Sequence, residues 1–484
     1  MITMQETKTK VITIKVATVI FALGTVAAIA TFTVEQIQEN KITEMMIPMK
    51  TEGCAVDGVL NGYGGNASSD MALVKRSKCK YIHRAIETWA TPPNFSVIRQ
   101  NLSALGSNYI YGMFIAEAIG VNSVYYYPDE KRNFNFFAMC RGGSDGMWGP
   151  GTCKANLASQ EYQKYVAYIT KQAIDLGIQS FLFGQIHFQD PNAPSTKNAS
   201  GIVSAMRRHA FFKGKTIIIG AQTNSITDEK YLKLFDYIEG GVGIDGSGEI
   251  EDKACSSHLG NCWALLWHKN YASKAKNVFL HLDWSGLVYD DMSKFARMRP
   301  ETRAKTLQNL YSFFTGKNMG FMMPMSATLY DQNGGCYGSQ PKFYSASNSY
   351  SCKDESIINN IISRGGLKND AQYVAQQTPS YMIAGEKYPV SVTIKNVGGS
   401  IWSDEKDFHL GSQNIQDNIV WGKRVELAPD EKVFPGQEKI FDFTVTAPIA
   451  PGNYNFQWQM VQESKEWFGT FTENILIPVA AKTI

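Results

Sequence analysis

The chain has 484 residues, more than one ordinary hydrophobic core organises, so two or three domains are expected. A hydrophobic share of 44% and an aromatic share of 12% suit packed globular domains and exclude a disordered chain. The formal net charge of +3, with no Lys/Arg stripe interleaved with aromatics, gives no support for nucleic-acid binding.

At the N-terminus, Lys8, Lys10 and Lys15 precede an uncharged run over 16–34 that is long enough for one helical span, and Glu35 and Glu39 follow it. This asymmetry predicts a cytoplasmic segment 1–15, a transmembrane signal anchor over 16–34 and an extracellular remainder. The other reading is a cleaved signal peptide with "AIA" at 28–30 as the cleavage site, giving a secreted product. Both readings export the body of the chain. All eight cysteines lie beyond residue 53 in close couples: Cys54 with Cys79, Cys140 with Cys153, Cys255 with Cys262 and Cys336 with Cys352. An even count in an exported chain reads as disulfides, with local pairing the simplest of the possible connectivities. His258 between Cys255 and Cys262 raises a zinc reading, but no second Cys/His pair is near in sequence, so the disulfide is preferred.

Residues 35–80, with "NGYGGNASSD", read as a loop-rich extracellular linker. From 81 to 365 strands and helices alternate. Strands are expected at 80–90, 121–128, 178–188, 215–224, 237–245, 277–286 and 319–327. Helices are expected at 107–120, 159–177, 201–212, 228–235, 262–275, 299–316 and 354–365, with a further one opening near Ser96 after "PPNF". Continuously apolar strands between amphipathic helices imply a parallel sheet covered on both faces. This number of units predicts a (β/α)8, TIM-like barrel whose eighth strand is not apparent; an open doubly wound sheet is the runner-up, but no glycine-rich phosphate loop follows any strand.

A barrel places the strand C-termini on one rim, where such folds carry their chemistry. The carboxylates expected there, and hence the candidate acid, base or nucleophile, are Asp283, Asp245, Glu249 and Glu87. Gln185, His187, Asp190, Gln222, Trp89 and Trp284 are candidate substrate-binding groups, since amides grip hydroxyls and ring faces stack on sugar rings. Each has a structural alternative: Asp283 and Asp245 as helix caps, Glu249 as a solvated loop charge, Glu87 as a partner of Arg84, His187 as a core histidine. Glu239, inside an apolar strand, is either buried with a partner or turned into the barrel, and Glu117 reads as structural on an apolar helix. No Ser or Cys nucleophile has a histidine at a recognisable spacing.

Residues 370–484 change pattern to alternating strands between Pro/Gly turns, which predicts a β-sandwich. The motifs "NVGGSIW", "VWGKRVEL", "VFPG", "VTAPIAPGNYNFQWQMVQE" and "EWFG" resemble the four-tryptophan, Nbr-type Ig-like domain, with Trp402, Trp421, Trp458 and Trp467 as its tryptophans. The resemblance implies a binding or spacer module, open to a protein partner, and supplies no catalytic residue. The preceding domain is loosely similar to TIM-barrel glycoside hydrolases. The expectation is therefore a surface-anchored or secreted hydrolase of a polysaccharide or cell-wall glycan, working by paired carboxylates without metal or cofactor. The competing class is a non-catalytic, glycan-binding or adhesive surface protein.

Overall fold

A computed structural model describes residues 38–482 except 64–66, 224–225, 252–266, 285–289, 330–335, 337–342, 350–351, 366–368, 399 and 434–436. Eight parallel strands run in sequence order around a closed barrel: β1 (Gly53–Val56), β2 (Tyr81–Glu87), β3 (Ile110–Ile115), β4 (Ser180–Phe183), β5 (Ile218–Ala221), β6 (Tyr237–Gly241), β7 (Val278–His281) and β8 (Gly320–Thr328). The seam closes where β1 pairs with β8, Cys54 opposite Met323 and Ala55 opposite Pro324. A further strand, Phe343–Ser345, runs antiparallel to β8.

Short strands such as "SFLF", "IIGA" and "VFLH" are buried along their whole length, as strands covered by helices outside and filled by side chains inside must be. Some of the helices between them start and stop at side-chain signals. Asn94 accepts the N–H groups of Ser96 and Val97 to open Phe95–Leu105, and Ser159 caps Gln160–Leu176. That second helix ends at Gly177, whose φ of 99° is open to glycine without a side-chain clash.

Three sequence expectations are corrected. The eighth strand is β1, inside the supposed loop-rich linker, which also contains helices over 38–51 and Ala67–Arg76. The expected helix over 107–120 is instead β3 followed by the short strand Ala118–Gly120; an apolar run of six residues carries no periodicity that separates strand from helix. The expected strand over 121–128 contributes only Tyr126–Tyr127 to a small hairpin outside the barrel. The adjacent Tyr125 and Tyr127 instead join Phe134, Tyr165 and Tyr168 in an aromatic cluster.

Cys54–Cys79, Cys140–Cys153 and Cys336–Cys352 are disulfide-bonded as expected, and such bonds belong to extracellular or secreted proteins. The Cys255–Cys262 couple and the proposed anchor over 16–34 lie outside the described residues. Among the described residues no helix is long and apolar enough to cross a membrane.

Residues beyond 370 form mostly antiparallel sheets around their own core. One sheet joins Ala371–Gln377, Lys387–Asn396 and Glu438–Thr446; another joins Arg424–Glu426, Phe408–Ser412, Trp458–Gln462 and Glu466–Phe468. Along Lys387–Asn396 the side chains alternate outward and inward, so Val390, Val392 and Ile394 meet Phe441, Trp402 and Trp458 inside. Trp402, Trp421 and Trp458 are buried, whereas Trp467 is half-buried beneath the guanidinium of Arg424 at 4.9 Å.

Candidate active site at the mouth of the barrel

The barrel interior is polar. Tyr81 of β2 touches Ser180 of β4 at 3.1 Å, and Ser180 reaches the Tyr237 hydroxyl of β6 at 3.4 Å. These strands are not neighbours, so the contacts span the inside of the barrel. Above this layer His83 Nε2 lies 3.2 Å from Glu239 Oε1, and His281 Nδ1 lies 3.2 Å from the same oxygen. Burial alone would raise the Glu239 carboxyl, but His83 and His281 overcome it and hold the group down at about 2. Burial opposes protonation of His281, yet contacts to Asp283 and Glu239 raise it to about 9, while burial pushes His83 down. With no ion between them, the set is one carboxylate between a charged and a neutral imidazole.

At the top of β2 the chain leaves regular strand geometry. Arg84 has φ of 55°, and the register against β3 shifts between Ile82 and Ile86. A positive φ in a non-glycine residue is strained, and a bulge of this kind re-aims a side chain. The guanidinium of Arg84 is thereby set 3.9 Å over Phe114 and 4.5 Å over Trp284, with its Nε donating to Glu87 Oε2 at 2.9 Å. Glu87 Oε1 accepts the backbone N–H groups of Thr88 and Trp89. Burial pushes Glu87 up to about 7 even with Arg84 against it.

Asp283 follows β7 by two residues, its side chain 20% exposed and Oδ1 3.6 Å from His281 Nε2. It does not cap the following helix. Asp290 does so, accepting the Ser293 N–H, and Asp291 ties the strand ends together by accepting N–H groups of Gly243, Ile244 and Asp283. Across the mouth, two residues past β3, stands Glu117, a buried carboxyl whose Oε2 has no partner. Gly184 makes its space: a Cβ there would lie 2.1 Å from that oxygen. Burial pushes Glu117 up to about 7, with Arg84 opposing and Asp283 adding to the rise. A buried acid that keeps its proton near neutrality, on the same rim as a second carboxylate, is the arrangement general acid catalysis needs.

The other expected site residues divide. Trp284 is buried against His281, ring centroids 4.9 Å apart, and Trp89 meets Trp148 at 5.4 Å. Gln185 directly follows Gly184, and its N–H faces Gln222 Oε1 at 3.4 Å. His187 packs on Phe188 and burial pushes it down to about 4, so it is neutral. Asp190 is buried in its own loop, accepting from Asn192 and Asn198. Two expected catalytic carboxylates are committed elsewhere. Asp245 Oδ1 accepts from Ser247 and Glu249 to close its own turn, and Glu249 pairs with Lys305 on the helix Pro300–Thr315 at 3.2 Å. Short polar loops rich in Gly and Ser form such turns from their own aspartates.

Arg84, Glu117, His83 and His281 were not expected in the site. The signal for the histidines was a polar residue every second position in an apolar strand, Tyr81-x-His83 and His281-x-Asp283. Glu117 was hidden by reading its segment as helix.

No known protein family and no curated protein matches the chain. Among solved structures it is similar to a GH27 β-L-arabinopyranosidase from Geobacillus stearothermophilus, with 9% identity and a TM-score of 0.34 over 84% of this chain and 98% of that one. It is also similar to trehalose-6-phosphate hydrolase from Bacillus licheniformis, with 8% identity and a TM-score of 0.41 over 82% of this chain and 99% of that one. A CARDB domain from Pyrococcus furiosus aligns with 15% identity and a TM-score of 0.17, covering 24% of this chain and 95% of that domain. Likenesses of this size carry no information about activity.

Proposed function

We propose that the barrel is a glycoside hydrolase acting on a polysaccharide or cell-wall glycan, with Glu117 as the general acid and Asp283 as the facing carboxylate. The observation that carries this reading is the buried Glu117 carboxyl, its Oε2 without a hydrogen bond, on the same rim as the partly exposed Asp283. Glycosidic cleavage needs one acid to protonate the leaving oxygen and one carboxylate on the other side of the bond. Arg84 would position Glu87 and stiffen the mouth, while Trp284, Trp89 and Gln185 would contact the sugar through ring faces and an amide. Anchoring through residues 16–34 and a protein- or glycan-binding role for the four-tryptophan-like module complete the proposal. The purified protein incubated with a glycan panel should release reducing ends, and Glu117→Gln and Asp283→Asn should each lower turnover by about 100-fold or more. Absence of products from every glycan would refute the hydrolase and favour a binding protein, and full turnover in both variants would refute the roles given to Glu117 and Asp283.

A further inference from the structure

The donor set inside the barrel has one property the rim chemistry does not use. His83 Nε2, His281 Nδ1 and both oxygens of Glu239 are buried and make no hydrogen bond, although each has a potential partner within reach. Unsatisfied buried polar atoms are rare, and these four grouped on three residues call for an explanation. The atoms converge: one donor from each residue falls within a sphere in which all lie within 4.8 Å of one another. The far nitrogen of each imidazole faces a polar group, within hydrogen-bond reach for His83 only. Tyr81 Oη lies 2.9 Å from His83 Nδ1, and Asp283 Oδ1 lies 3.6 Å from His281 Nε2. A hydrogen bond on the far ring nitrogen, as Tyr81 makes with His83, fixes the tautomer that leaves the near nitrogen's lone pair free, which is how metal-bound histidines are oriented.

We infer that His83, Glu239 and His281 bind one divalent transition-metal ion, of which zinc is the best fit. Two imidazole nitrogens and a carboxylate suit zinc, and donors about 2.0–2.1 Å from one ion at tetrahedral angles stand roughly 3.3 Å apart. Both nitrogen-to-oxygen separations are 3.2 Å. The second oxygen of Glu239 is equally free and can bind beside the first, closing the shell with a bidentate carboxylate and so departing from a regular tetrahedron. The side chains of the three residues are no more than 1% exposed, and Trp284 lies against His281 on the mouth side. The site is therefore closed and structural, joining β2, β6 and β7 beneath the mouth. It requires no hydrolysis at the rim.

The test uses the full-length purified protein. Elemental analysis after dialysis against metal-free buffer should find about one equivalent of zinc per chain. Chelation should lower Tm, and zinc or cobalt, but not magnesium, should restore it. Cobalt should give the intense visible bands of a four-coordinate N/O site. His83→Ala and the near-isosteric Glu239→Gln should lose the metal and the cobalt bands; Glu239→Gln guards against a result caused by misfolding. Wild-type protein with no bound metal and no Tm response to zinc or cobalt would overturn the inference, leaving a carboxylate–imidazole ion pair. Metal retained at full stoichiometry in both variants would overturn it equally, by placing the ion elsewhere.

Discussion

Replacing Glu117 by glutamine tests the rim without requiring a substrate. The carboxyl is buried and pushed from 4.5 to about 7, so ionising it in the folded protein is costly. Linkage fixes the sign. A carboxyl raised in the folded state contributes stability at pH below its unfolded value of 4.5, and that contribution is lost as the pH rises through about 7. At roughly 1.4 kcal/mol per factor of ten in ionisation, the loss amounts to about 3 kcal/mol by pH 8. Glutamine has the same shape and no charge to expose. The difference in stability between Glu117→Gln and wild type should therefore shift in favour of the variant by about 3 kcal/mol between pH 4 and pH 8, most of it between pH 5 and 7. Urea titrations read by hydrogen-exchange mass spectrometry on peptides of β3 and β4 isolate the barrel from the sandwich. Other carboxyls raised by burial, such as Asp70 and Asp290, cancel in the comparison. A difference that does not change with pH, or that moves against the variant, would refute the assignment of a buried protonated acid.

Glu87 is also pushed up to about 7, so Glu87→Gln should likewise gain stability relative to wild type as the pH rises through about 7 in the same urea assay. Gly184→Ala puts a methyl group where Glu117 Oε2 stands, so turnover should fall with Glu117 displaced while far-UV circular dichroism stays unchanged. Turnover on any glycan found should decline as pH rises through about 7, because the acid must carry its proton. In an expressed fragment of residues 370–484, Trp458→Ala should cost about 3–5 kcal/mol, since the ring is buried against Phe443 and Phe456; a cost under about 1 kcal/mol would show that the ring is not part of the core.

Most of the barrel was legible because its middle strands are apolar runs set between amphipathic helices, some of them capped. Gln160–Leu176 shows both signals, with Ser159 before it and Gly177 after it. β1 was not legible because "GCAV" is four residues without period, turn signal or bulk, and only the pairing to β2 and β8 makes it a strand. β3 was misread because "IYGMFI" has no polar face to set a repeat of two, and that error took Glu117 out of consideration. Asp283 was legible as a carboxylate ending an apolar strand. Asp245 gave the same local signal but turns back on Ser247 in its own loop, whereas Glu249, in that polar loop, pairs with Lys305 on an outer helix, a partner that only the tertiary structure supplies. His83, Glu239 and His281 stand in three strands separated by up to about two hundred residues, so no local pattern could bring them together.

The seam between β1 and β8 also governs the order in which the chain can fold. Residue 54 meets residue 323, so one edge of the first strand stays open until nearly the whole barrel has been synthesised. Contacts this distant in sequence slow folding, and an exposed parallel edge can pair with other chains in the interval. The Cys54–Cys79 bond fastens β1 to the segment entering β2, a link available once the first eighty residues have emerged. It holds the early edge in register while the rest of the barrel is made. An oxidant present during synthesis should raise the yield of soluble protein more than the same oxidant added afterwards.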